Sequence, residues 1–256
     1  MKKTALITGS TSGIGKAIAT GFAKLGYNIV FNGLETDGAE IAAEIAQENK
    51  IDYLFSNANL MQPAAIKQMV NEALEKFGQI DILVNNAGIQ FVSPIDTFPD
   101  EKWDAIIAIN LSASFHMIKA VWPKMKENNF GRIINISSAH GLVASEFKSA
   151  YVASKHGVIG LTKTVALEGA PYNITCNAVC PGYVHTPIVD NQIADQMKVN
   201  HMTADEVVKN VMLAKQAIKE FIPLELIVES VLFLAHDDAR AITGISFPID
   251  GGWTAQ

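Results

Sequence analysis

The chain is predicted to fold as an α/β protein built on a doubly wound parallel sheet. Short apolar runs alternate with segments of helical period along its whole length, the order that lays helices over both faces of a parallel sheet. The runs are mostly apolar at consecutive positions, as at 80–84 and 133–136. That suits strands covered on both sides better than half-exposed ones. A glycine-rich turn joins the first run to the first helical segment.

The first strand is expected over 4–8. The first helix follows over 14–25, where Ile14, Ala17, Ile18, Gly21, Phe22 and Leu25 recur at helical spacing. Further strands are expected at 28–32, 51–55, 80–85, 131–137, 173–179 and 245–249, and helices at 36–49, 63–77, 100–126, 149–168 and 224–235. No repeat, low-complexity tract or linker divides residues 1–256, so a single domain is expected. One stretch, 183–222, interrupts the alternation with two amphipathic pieces between a strand and a helix. An insertion of that length at the carboxyl edge of the sheet reads as a helical substrate lid, in preference to a passive surface excursion.

The turn after the first strand reads Thr8-Gly9-Ser10-Thr11-Ser12-Gly13-Ile14-Gly15. Glycines let a backbone approach a pyrophosphate closely, and the following helix start offers unpaired N–H groups and a positive dipole end. A glycine turn alone is weak, but its place between an apolar run and an amphipathic helix is the context the motif needs. After the second strand come Gly33, Leu34 and Glu35, and no Lys or Arg stands between Lys24 and Lys50. Nothing nearby would neutralise a 2′-phosphate, so NAD is expected over NADP. Glu35 reads either as a ribose partner or, in preference, as a solvated residue near the next helix.

Composition excludes several classes. The net charge is −6, with a pI near 5.5 and no basic run, so no nucleic-acid partner is expected. No apolar stretch reaches the roughly 18 residues of a membrane helix, and Met1, Lys2 and Lys3 lead straight into a strand without room for a signal peptide. A cytoplasmic protein is expected, with no metal. The two cysteines, Cys176 and Cys180, would lie roughly 13 Å apart on an extended strand. That is too far for a disulfide, so they read as buried thiols.

Tyr151 and Lys155 stand four apart, with Ser138 thirteen residues upstream of Tyr151. On a helix that spacing stacks a phenol and an ammonium on one face. A fixed cation favours the phenolate and lowers a pKa that is otherwise about 10, giving a proton acceptor usable near neutral pH. Alone, the pair would be an ordinary amphipathic surface. In sequence order with the other motifs it is more.

Thr8-Gly9-x-x-x-Gly13-x-Gly15, Asn85-Asn86-Ala87-Gly88, Asn110, Ser138, Tyr151-x-x-x-Lys155 and Pro181-Gly182 together resemble the short-chain dehydrogenase/reductase family over nearly the whole chain. The resemblance implies a Rossmann-type fold and a catalytic set of Asn110, Ser138, Tyr151 and Lys155. In that set Tyr151 exchanges the proton, Lys155 lowers its pKa and binds the nicotinamide ribose, Ser138 steadies the substrate oxygen, and Asn110 holds a water that passes the proton to solvent. It implies cofactor contacts from Gly9, Thr11, Gly13, Ile14 and Gly15, from Leu34, Asn59 and Leu60, and from Asn86, Ala87 and Gly88. Tyr151, Lys155, Pro181, Gly182, Val184 and Thr186 complete that list. Asn59 stands where the family often has an Asp against the adenine amino group. The family also implies a homotetramer, through the helices at 100–126 and 149–168.

The substrate is narrowed by residues near Tyr151. Lys148 lies three positions before it, within reach on a helix. His140 follows Ser138 by two, the same side if the strand continues. Gln90 follows the Asn85–Gly88 turn at the carboxyl edge of the sheet. These groups converging on a carbinol carbon would suit a carboxylate, which takes strong charge-assisted hydrogen bonds. Gln90, His140, Lys148 and Gln192 also resemble, in placement, the carboxylate binders of the D-3-hydroxybutyrate dehydrogenase branch of the family. Tyr183 and Trp253 would wall off the methyl end. A small hydroxy or keto acid is therefore expected, with D-3-hydroxybutyrate and acetoacetate as the pair.

Overall fold

The computed structural model describes residues 2–185, 189, 193, 197 and 202–255. Seven strands form one sheet, β1 Thr4–Ile7, β2 Asn28–Asn32, β3 Tyr53–Ser56, β4 Ile82–Asn85, β5 Gly131–Ile136, β6 Ile174–Pro181 and β7 Ser246–Ile249. Their order is β3-β2-β1-β4-β5-β6-β7 and every pairing is parallel. The order reverses between β1 and β4, so a crevice opens beyond the carboxyl ends of those strands, where doubly wound sheets bind ligands.

Helices cover both faces: α1 Gly13–Lys24, α2 Gly38–Asn49, α3 Pro63–Phe77, α4 Asp100–Ile107, α5 Ala113–Glu127, α6 Ser149–Gly169, α7 Ala204–Val207 and α8 Leu224–Ala235. Successive strand residues feed opposite layers. Ala5 and Ile7 join Ile18, Phe22, Ile227 and Val231 on one side, while Leu6 joins Ile66, Met69, Val121 and Met125 on the other. Full burial of such side chains stabilises by about 1.5–3 kcal/mol each, which explains why the inner strands are apolar at consecutive positions. Some of the buried polar residues are bonded to one another. Asn85 Nδ2 donates to Asn135 Oδ1 at 2.8 Å, and Asn135 Nδ2 donates to Thr162 Oγ1 at 2.8 Å, tying β4, β5 and α6 together. Pro248 lies on β7, an edge strand, where a missing N–H is tolerated.

Two expectations need amendment. The helix read over 100–126 is α4 and α5 joined through a π-turn at Ala108–Ser112; apolar periodicity does not reveal one extra residue in a turn, and such turns collect at functional sites. By length and composition the helical run Asp100–Glu127 would also pass for a membrane span, which the sequence reading did not anticipate. Its apolar face instead packs into the core through Met117, Ile118, Val121 and Met125. Of the stretch 183–222, the described part contains α7, opened by a Thr203–Glu206 capping box, and a second π-turn at Val208–Met212. The two ends of that stretch meet, since Ile222 N donates to Tyr183 O at 2.8 Å and Val184 bridges Ile222. Cys176 and Cys180 are free and buried as expected, and burial raises their pKa values to about 12 and 11, leaving unreactive thiols.

Candidate active site

A cavity of about 670 Å³ runs along the carboxyl edge of the sheet, from the glycine turn to Tyr151 and Trp253. At its first end the chain leaves β1 and turns into α1. Gly9 has a φ of +61° and Gly13 of +51°, values a side chain resists. A Cβ on Gly15 would lie 2.0 Å from the Gly9 carbonyl oxygen, so no other residue fits there. The turn is held from β4: Asn86 Nδ2 donates to Thr8 O and Gly9 O at 2.9 and 3.0 Å, and Thr8 Oγ1 accepts from the N–H groups of Asn86 and Ala87. Asn32 steadies it from β2, donating to Ser56 O and Ala58 O and accepting from Gly9 N at 3.4 Å. The glycines bring backbone to the cavity wall beside a helix start, a cradle that fits a pyrophosphate.

Glu35 belongs to this end and is exposed to solvent just before α2, the placement preferred from sequence. Its carboxylate accepts from Thr11 Oγ1 and, at 3.0 Å, from Ser12 Oγ, and it lines the cavity. Partial burial works to raise its pKa, but the Thr11 and Ser12 hydroxyls and the local backbone outweigh that and hold the carboxyl below its ordinary value. Thr11 itself is buried and faces Glu35 instead of the cavity. Asn59 lines the cavity with Leu34 and Leu60; its Oδ1 accepts from Met61 N at 3.0 Å, which leaves one lone pair for a ligand.

At the centre Ser138, Tyr151 and Lys155 stand together. Ser138 stands two residues beyond β5, as the N-cap of the turn Ala139–Gly141, and its hydroxyl hydrogen-bonds Tyr151. Lys155 Nζ lies 5.5 Å from the centroid of the Tyr151 ring and donates to Ile136 O at 2.8 Å. The electrostatic expectation is corrected here. Burial pushes the Tyr151 phenol above its ordinary pKa, and the hydrogen bond from Ser138 only partly opposes this. Burial likewise lowers Lys155 to about 8 while its amine is engaged by Ile136 O, and the raised phenol stays protonated at neutral pH in the ligand-free protein. Asn110 also has a different employment. From the π-turn its Nδ2 donates to Ile89 O at 2.9 Å and its Oδ1 accepts from Ile89 N at 2.8 Å. The amide therefore pins the backbone beside Gly88, and it is not itself in the cavity wall.

At the far end His140, Lys148, Tyr183 and Trp253 form a compact group. The Tyr183 and Trp253 rings stack at 5.7 Å and 10°, and His140 meets Trp253 edge-on at 4.9 Å and Tyr151 at 5.9 Å. Lys148 Nζ donates to Tyr183 Oη at 3.3 Å. Burial, then repulsion from Lys215, lowers Lys148 to about 8; burial, then Lys148 and Lys215, lowers His140 to about 3. Two local readings change. His140 sits in a 3₁₀ turn, Ala139–Gly141, capped by Ser138 Oγ, and not on a continued strand. Lys148 is the N-cap of α6, outside the helix proper. It is preceded by Phe147, whose φ is +63° and whose carbonyl accepts from Ser93 N at 2.9 Å.

The family model described as short chain dehydrogenase matches residues 3–197. This chain belongs to the short-chain dehydrogenase family. Among its relatives is a protein of Rhizobium meliloti (strain 1021) named D-beta-hydroxybutyrate dehydrogenase, 53% identical with 100% of both chains covered. A protein of the same name from Cupriavidus necator is 46% identical, covering 99% of this chain and 98% of that one. A solved structure of an actinorhodin polyketide ketoreductase variant with NADPH aligns with a TM-score of 0.94 at 31% identity, over 100% of this chain and 98% of the other.

In this short-chain dehydrogenase the cavity wall gathers Gly9, Gly13, Ile14, Leu34, Asn59, Leu60, Asn86, Ala87, Gly88 and Gln90 from the first half of the chain. From the second it gathers Ser138, His140, Lys148, Tyr151, Lys155, Pro181, Gly182, Tyr183, Val184 and Trp253. Thr11, Gly15 and Asn110 stand behind it as supports. Thr186 and Gln192 lie outside the described residues. Sequence reasoning missed Ser12 and Asn32 in the wall and the hydroxyls that bond Glu35; the clue available was the row of hydroxyls in the glycine turn before an acidic residue after β2.

Proposed function

We propose that this enzyme interconverts D-3-hydroxybutyrate and acetoacetate by hydride transfer with NAD. The observation that carries the reading is the grouping of Lys148 and His140 against Tyr151 and Ser138 in one cavity, shortened by the Tyr183–Trp253 stack. A lysine cation and a neutral imidazole suit a carboxylate, and a wall of two stacked rings suits a methyl group. The dinucleotide, when bound, supplies the hydride acceptor or donor, and the glycine turn, Asn59 and Lys155 would hold it. Tyr151 gives its proton to the keto oxygen during reduction and takes the hydroxyl proton during oxidation. Ser138 steadies the charge that develops on that oxygen. Gln90 lines the cavity, and Gln192, outside the described residues, is assigned to the same carboxylate set.

The test is NADH formation measured separately with the D and L enantiomers of 3-hydroxybutyrate and with a 3-hydroxyacyl thioester. Turnover of the D acid is expected to dominate; a preference for the thioester would overturn the assignment.

The choice of NAD rests on Glu35, which leaves a carboxylate at the rim without any basic residue from 25 to 49 to offset it. Glu35→Ala is expected to narrow the preference for NAD over NADP by roughly fivefold to tenfold, the size of one exposed like-charge contact. An unchanged kcat/KM ratio for the two cofactors would remove Glu35 from this role.

The proposed assembly is a homotetramer through α4, α5 and α6, whose Trp103, Phe115 and Leu167 are exposed in the single chain. The free thiols fit a reducing cytoplasm.

A further inference from the structure

One glutamine turns inward from an exposed loop. After the π-turn at Val208–Met212, Ala214, Lys215 and residues 217–220 are exposed, whereas Gln216 is fully buried. Gln216 Oε1 accepts from Tyr183 N at 3.1 Å, and its Nε2 donates to Ile218 O and Glu220 O at 3.2 and 2.9 Å. The amide can face only one way, with its oxygen toward an N–H and its nitrogen toward two carbonyls. Backbone encloses it on both sides. A Cβ on Gly182 would lie 2.8 Å from Gln216 Oε1, and one on Gly251 would lie 3.1 Å from Gln216 Nε2. Gly182 directly precedes Tyr183, and Gly251 stands two residues before Trp253. The two chain segments that carry the stacked rings therefore meet on one buried side chain.

We infer that Gln216 is a positioning residue for substrate length: by fixing the Tyr183 backbone against that of Gly251, it holds the Tyr183–Trp253 stack where a methyl group fits and a longer chain does not. The inference rests on the hydroxy-acid reading proposed above, in which that stack faces the methyl end.

The two halves of the wall are secured differently. The Trp253 turn carries its own ties: Asp250 accepts from Gly252 N and Thr254 N at 3.0 Å each and from Thr254 Oγ1 at 2.6 Å, and Gly251 O accepts from Ile218 N at 2.9 Å. Tyr183 lies beyond the end of β6, and its backbone is held at O by Ile222 N and at N by Gln216. A tyrosine ring has two torsions, so the backbone largely decides where the ring lies. Without the glutamine amide, Tyr183 N and two carbonyls lose their partner, and the segment gains by moving to find others. A small withdrawal of the Tyr183 ring then lengthens the space past the carbinol carbon. Gln216 itself is not in the cavity wall, so it acts through the ring it places.

The test compares kcat/KM for D-3-hydroxybutyrate and D-3-hydroxyhexanoate in wild type, Gln216→Met, Tyr183→Ala and the double variant. Methionine keeps much the same volume but offers no N–H to the two carbonyls and only a weak acceptor to Tyr183 N. Gln216→Met is expected to raise the hexanoate-to-butyrate ratio about tenfold, the low end of what one methylene decides in an apolar pocket. Tyr183→Ala should raise it at least as far, and the two effects should fall well short of multiplying, because the glutamine works through that ring. Should Gln216→Met not fold, Gln216→Asn, an amide of shorter reach, carries the same expectation. In wild type the Tyr183 amide should exchange its hydrogen at least about tenfold more slowly than an open loop amide. An unchanged ratio, effects that multiply in full, or fast exchange at Tyr183 would overturn the inference. A wild type with no preference for the shorter acid would overturn the hydroxy-acid reading, and the inference with it.

Discussion

Tyr151→Phe is expected to lower turnover of D-3-hydroxybutyrate by about 10²- to 10⁴-fold, the range that a positioned proton donor or acceptor contributes. Dinucleotide affinity, followed by fluorescence titration, should change little. The substitution keeps the ring that meets His140 edge-on and removes only the hydroxyl bonded to Ser138. Because burial raises the phenol, it is protonated at neutral pH in the free enzyme, ready to act as the acid in reduction. Oxidation needs the deprotonated form, so its rate should climb with pH while reduction slows. A variant retaining turnover within tenfold of wild type would mean that the proton travels by another route.

Lys148→Ala should raise KM for the hydroxy acid by roughly 10- to 150-fold, corresponding to the 1.5–3 kcal/mol of a hydrogen bond to a charged group. The KM of an uncharged alcohol of the same size should move far less. A pH effect accompanies it. Burial and Lys215 bring Lys148 down to about 8 in the empty cavity, and only the protonated amine pairs with a carboxylate. Affinity for the acid should therefore be full below pH 8 and fall as pH rises through that value, by up to about tenfold per unit. The alanine variant should lack this alkaline limb; a wild-type limb that persists in it would assign the titration elsewhere.

The sheet and its helices were legible because apolar runs and helical spacing report burial directly. The strands read at 28–32 and 131–137 correspond to Asn28–Asn32 and Gly131–Ile136. The site was legible where one residue type has a single physical use, as with Gly15, whose place admits no side chain. It was less legible where function depends on what a residue touches across the fold. Nothing near Glu35 in sequence says that Thr11 and Ser12 turn their hydroxyls toward it. Spacing alone placed Lys155 beside Tyr151, but not the carbonyl of Ile136 that engages its amine, nor the desolvation that outweighs its charge. His140 and Lys148 reached the expected cavity by a 3₁₀ turn and a helix cap instead of the regular elements assumed for them.

Phe147, immediately before Lys148, has a left-handed backbone. A benzyl group held in that conformation costs on the order of 1 kcal/mol or more. At 53% exposure it regains little of this through packing. Part of the folding free energy is thus diverted into aiming one ammonium group. Glycine or asparagine at this joint would make a sturdier protein with a laxer grip on its acid, so robustness and discrimination pull in opposite directions across a single peptide link.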